Sequence, residues 1–104
     1  MPTGADKSLP ADLPRIHADF NGLITAYPHR VLLETSATHR SLEALGLELT
    51  DGLRAILYDP DENEHGERDD IVCVATVRKD EQLGWVAYLD DDRVMSQSDW
   101  AQRD

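Results

Sequence analysis

The stretch Ile71-Val-Cys-Val-Ala-Thr-Val77 is apolar at every position but one. A short β-branched run without a polar face predicts a strand covered on both sides. It is the expected central strand, with Cys73 inside it. In Arg30 to Thr35, Val31 and Leu33 fall on one side and Leu32 on the other, which is strand patterning at strand length. Trp85 to Leu89 predicts another strand and Arg93 to Ser96 a short last one, with Lys79 to Gly84 and Asp90-Asp91-Asp92 as charged turns between them. Earlier, Phe20, Leu23 and Ile24 form an apolar anchor around Asn21-Gly22, whose turn chemistry argues against a long helix.

Between Leu42 and Asp59 two periods compete. Leu42, Leu45 and Leu49 fit a helical stripe, whereas Leu45, Leu47 and Leu49 alternate with Gly46, Glu48 and Thr50. A glycine inside a helix costs about 1 kcal/mol relative to alanine. The spacing therefore predicts one short helical turn at His39 to Ala44 and a strand after it. Asp51-Gly52 is suited to a two-residue hairpin turn, and Leu53 to Asp59 follows as the return strand. In that register Leu47 opposes Ile56 and Leu45 opposes Tyr58, giving one apolar face.

Residues 1 to 15 carry Pro2, Gly4, Pro10 and Pro14 and are expected to be an extended, mobile lead-in. Residues 16–104 then form a single domain of mainly β structure, roughly six short strands with frequent turns. The expected architecture is a small antiparallel SH3-like barrel or curled sheet with at most one short helical turn. Closure would remove the edges that so small a sheet leaves exposed.

Composition narrows the partners. Among 104 residues there are 10 basic and 21 acidic, a net charge of -11. Such a surface repels phosphate backbones and anionic membranes and favours encounter with basic protein surfaces. The expectation is a protein partner, with no nucleic acid and no membrane. The single cysteine excludes an intramolecular disulfide and a closed zinc site. No apolar segment is long enough for a signal peptide or membrane span, so a cytoplasmic location is expected.

Candidate chemistry concentrates in Asp59-Pro-Asp-Glu-Asn-Glu-His-Gly-Glu-Arg-Asp-Asp70. Asp59, Asp61, Asn63 and Asp70 fall at the first, third, fifth and twelfth positions of a calcium-type loop. Glu64 stands where such a loop needs glycine, Gly66 comes two residues late, and Asp70 is shorter than the usual bidentate glutamate. The plainer expectation is a solvated hairpin loop whose charge discourages edge pairing. No serine sits in a nucleophile turn and no glycine loop cradles phosphate, so neither catalysis nor a cofactor is expected. Trp85, Tyr88 and Trp100 are the candidates for an interaction surface, since aromatic residues are enriched in binding hot spots.

Leu49-Thr-Asp-Gly-Leu53, Leu57-Tyr-Asp-Pro-Asp61, Gly66, Asp69-Asp-Ile71, Gly84-Trp-Val-Ala87 and Ser98-Asp99 together resemble a group of short, uncharacterised bacterial proteins with an acidic-loop β domain. That resemblance spans roughly the last two thirds of the chain. It implies a compact bacterial β domain and no catalytic or binding residues. The resulting expectation is a non-enzymatic protein-interaction module with an acidic surface; a calcium-responsive loop protein and a DNA mimic are the alternatives.

Overall fold

The apolar run Ile71 to Val77 is the hub of the molecule. The computed structural model describes residues 12–26, 28–90 and 94–102. Its elements are β1 (Arg15–His17), β2 (Leu23–Ile24), β3 (Arg30–Leu32), α1 (Ser36–Leu45), β4 (Arg54–Asp59), β5 (Ile71–Asp80), β6 (Gly84–Leu89), β7 (Met95–Ser96) and α2 (Gln97–Gln102). A 3-10 turn at Phe20–Gly22 lies between β1 and β2, its Asn21 N–H capped by the Asp19 carboxylate. All seven strands join one sheet in the order β1-β4-β5-β6-β3-β2, with β7 also paired to β5. β4 runs along β5 from Ile71 to Thr76. On the opposite edge of β5, β7 takes Ile71 and Val72 and β6 takes Ala75 to Asp80.

Both faces are covered, as an apolar run of that kind requires. On one face Ile16, Val31, Ala55, Leu57, Cys73, Ala75, Val77 and Ala87 form the main core under Leu42 of α1. On the other, Ile56, Val72 and Val74 pack beneath Trp100 of α2, with Leu13, Tyr58 and Met95 around them. Cys73 is fully buried, as its apolar setting predicts.

The expected barrel is not formed. The sheet is open, ending at β1 and β2, and it is mixed, because β1 pairs with β4 in parallel. Closure is replaced by capping of the edge. Thr38 Oγ1 donates to the His17 carbonyl at 2.7 Å, and Ser41 Oγ accepts the His17 N–H at 3.0 Å, so α1 satisfies backbone groups of β1 that would otherwise invite another strand. Nor is the helical content one short turn: α1 has 10 residues. Thr35 caps its start by accepting the Thr38 N–H at 3.2 Å. Of the lead-in, residues 1–11 lie outside the described residues. Leu13 packs in the second core, and the Pro14 carbonyl accepts the Ile56 N–H, so the folded part starts before Ile16.

The hairpin about Asp51-Gly52 is also replaced. Leu45 ends α1, and Gly46, at φ 64, takes the left-handed conformation. Its N–H donates to the Glu43 carbonyl and the Leu47 N–H to that of Leu42, the pattern that ends helices at a glycine. Asp51-Gly52 still turns the chain, with the Leu53 N–H donating to Thr50. The turn docks on β5 instead of starting a two-stranded hairpin: Gly52 N–H donates to the Val77 carbonyl and Val77 N–H to that of Leu53. β4 pairs with β5 from Arg54↔Thr76 to Asp59↔Ile71, a partner apolar on both faces, whereas Leu45 to Thr50 offered only one. The acidic segment is thus the connection of the hairpin that did form.

Candidate functional site

The acidic loop is ordered by Asn63. Its Oδ1 accepts the N–H groups of His65 and Glu67 at 2.9 and 3.1 Å, its carbonyl accepts the Gly66 N–H, and its N–H donates to Glu67. Gly66 lies at φ 78, completing the three-residue hairpin loop that needs a left-handed glycine at its end. This is why glycine comes two residues late for a calcium loop. Asparagine at the first and glycine at the fourth position of a turn was a readable signal.

The four oxygen donors spaced for a cation are engaged separately. Asp59 turns toward the start of the fold, where its carboxylate accepts the Phe20 N–H at 3.2 Å and lies 3.7 Å from His17 Nε2. Asp61 Oδ1 accepts the Glu62 N–H, and Asn63 Oδ1 is committed to the loop backbone. Asp70, 5% exposed, receives Arg68 Nε at 2.7 Å, Arg68 Nη2 at 3.2 Å and Arg15 Nη2 at 3.3 Å. The hydrogen bond and the charge of Asp70 raise the Arg68 pKa. Among the described residues no group of three His, Cys, Asp or Glu side chains is disposed to hold a metal ion. Ser41, His17 and Asp59 are neighbours, yet the Ser41 hydroxyl binds the backbone of His17, an arrangement that holds α1 to β1.

Adjacent Asp69 has a different task. It accepts the Ser98 N–H and hydroxyl, and these bonds hold its pKa below the ordinary 3.8. Together with Gln97 N–H donating to the Asp70 carbonyl, this docks the first turn of α2 and delivers Trp100 to the second core.

The three candidate aromatics therefore do not share a surface. Trp100 is 2% exposed. Tyr88 lies on the α2 side of the sheet, in register with Thr76 and Arg30, beside Asp90, which accepts from Arg54 Nη2 at 2.8 Å and Thr76 Oγ1 at 2.9 Å. Trp85 lies on the α1 side, half-buried against the main core.

Around Trp85 the surface changes character. Leu42, Leu47, Leu49 and Trp85 line one groove, which also takes in His39, Glu43 and Glu48. The helix stop at Gly46 builds it, by folding Leu47 back under the last turn while Glu48 stays exposed and Leu49 turns inward. Leu45, at 49% exposure, stands at the end of the helix. Glu34 Oε2 accepts the Trp85 N–H at 3.4 Å, and Glu34 Oε1 lies 3.4 Å from His39 Nε2. Lys79, opposite Trp85 in the β5–β6 register, places Nζ 4.7 Å from the centroid of the Trp85 ring. Sequence reasoning found Trp85 but missed the groove, since reading a strand at Leu45 to Thr50 removes its floor. Among the described residues no helix is long and apolar enough to cross a membrane. No family model, no curated protein and no solved structure matches this chain.

Proposed function

We propose that this protein is a non-enzymatic, cytoplasmic interaction module whose groove between α1 and β6 receives a basic segment of a partner protein. The observation that carries the reading is the combination of an apolar floor, Leu42, Leu47, Leu49 and Trp85, with the carboxylates Glu43 and Glu48 in the same groove, on a chain of net charge -11. Partly exposed apolar surface with a polar rim is what protein-binding sites present. A tryptophan among its lining residues supplies an anchor, and the carboxylates in the same groove steer a cationic partner and select against acidic ones.

Selection from a displayed random-peptide library tests this. The expected peptides carry one or two apolar anchors flanked by lysine or arginine. Two rim charges at about 0.5–1 kcal/mol each make the double variant Glu43→Gln/Glu48→Gln bind them roughly five- to thirtyfold more weakly, with a shallower salt dependence. Leu49→Ala weakens binding without changing the salt dependence. Selected peptides without basic enrichment, or binding indifferent to these substitutions, would refute the reading.

A further inference from the structure

We propose that Lys79 is a built-in occupant of the cation seat on Trp85, which a partner's arginine or lysine side chain takes by displacing it. The proposal rests on the groove reading above and adds what the groove recognises and how its Trp85 ring is covered in the free protein.

The seat is shown by its occupant. Lys79 and Trp85 stand directly opposite each other on β5 and β6, so their side chains leave the same face of the sheet. Nζ lies 4.7 Å from the ring centroid, within the range in which a cation is held by the face of an indole. Lys79 is exposed, and among the described residues its ammonium makes no ion pair. Among the described residues this ammonium rests on an aromatic face and on no carboxylate. The contact is that of an exposed pair, so a better-placed cation displaces it.

An incoming side chain has more to gain than Lys79 has. The Trp85 ring belongs to the groove that Glu43 and Glu48 line, and Glu34 sits at the Trp85 backbone. A cation arriving from a partner reaches the ring by way of the groove, with Glu43 and Glu48 on its path, while apolar neighbours in the partner settle over Leu47 and Leu49. Arginine fits better than lysine, because a planar guanidinium stacks on the indole and still directs N–H groups at a carboxylate. Lys79 keeps an indole from facing water unpaired and sets a threshold that non-specific cations do not pass. The expected occupant is an arginine-bearing, partly apolar segment of another protein.

The test is an NMR titration of the folded protein with the acetylated, amidated tetrapeptide Arg-Leu-Leu-Arg, on wild type and on Lys79→Met, which retains an unbranched stem and removes the charge. In the free wild-type protein the Lys79 ε-protons are shifted upfield by the indole ring current. At saturation they are expected to return to the positions of a solvated lysine while the Trp85 indole N–H signal moves. Lys79→Met is expected to bind about two- to fivefold more tightly, the factor that corresponds to one exposed cation–π contact. Lys79→Gln serves as a second neutral variant if the methionine perturbs the fold. Equal or weaker binding by both neutral variants, or Lys79 protons still upfield at saturation, overturns the placeholder while leaving the groove reading in place. No shift at Trp85, Leu47 or Leu49 in any of the proteins overturns the groove reading and the placeholder with it.

Discussion

Thr38→Val isolates the contact by which α1 is bonded to the edge of the sheet. Thr38 is fully buried, and its hydroxyl donates to the His17 carbonyl at 2.7 Å while accepting from Thr35 Oγ1 at 2.9 Å. Valine has the same shape and a similar helix propensity, so the substitution removes polarity and little else. Thr35 is half-exposed, and water replaces its lost acceptor. The His17 carbonyl lies under α1, and leaving a buried acceptor without its donor costs about 1–3 kcal/mol. Burying a methyl in place of a hydroxyl recovers part of that, up to roughly 0.8 kcal/mol. The expected net loss is about 1–2 kcal/mol, equivalent to a drop in Tm of roughly 5–15 °C for a domain near this size. Urea denaturation gives the first number, and amide exchange locates it. The Ala18 N–H, which donates to the Tyr58 carbonyl at 2.9 Å, is expected to lose protection in Thr38→Val and to keep it in Thr38→Ser. A Thr38→Val protein as stable as wild type, with β1 amides equally protected, would refute the view that this hydroxyl holds the edge.

Trp100→Ala is expected to destabilise the fold by about 3–5 kcal/mol, because the indole covers Ile56, Val72 and Val74; a loss below about 1 kcal/mol by denaturation would return Trp100 to the surface. The Asp69 carboxylate has a folded pKa below 3.8 owing to Ser98, so its contribution is complete above that value and disappears as pH falls through the depressed folded pKa. The stability gap between wild type and Asp69→Asn is therefore expected to close on acidification from about pH 5 to about pH 2, read from urea midpoints. A gap that stays constant over that range would contradict the assignment.

The elements legible in the sequence are those whose evidence is local. Ile71 to Val77 of β5 is an apolar run broken only by Thr76, and β4 and β6 are bounded by Asp51-Gly52, Asp59-Pro60 and Gly84. β1 was invisible because three residues pairing in parallel with a strand far along the chain leave no periodic trace. α1 was cut short because its buried stripe contains Thr38 beside Leu42; a threonine reads as a break in the apolar face when its hydroxyl is in fact bonded to a strand. Inside a helix Gly46 reads as a cost, although glycine just past the last apolar position is also the commonest stop. The groove depends on this stop, since it exists only if the chain turns back at Gly46. Trp100 is named from sequence as a surface candidate, yet Ser96-Gln-Ser-Asp99 before it has the spacing of a helix start, and the Asp99 N–H donates to Ser96 Oγ.

The order of strands in the sheet has a consequence for how the molecule comes into being. β4, β5 and β6 follow one another along the chain and pair as neighbours, so this meander forms from local closures. β1 and β3 precede it and have their main partners only within it, Arg15↔Ile56 and Arg30↔Tyr88 being such pairs. Pairing between distant segments slows folding, and a ribosome delivers the chain from its N-terminus at about 5–20 residues per second. Val31 and Leu33 are thus synthesised well before the strand that covers them. The hazard to this protein is one of timing, the interval between emergence of β3 and emergence of β6, and the acidic run Asp59 to Asp70 emerges inside that interval, bringing the like charge that opposes association.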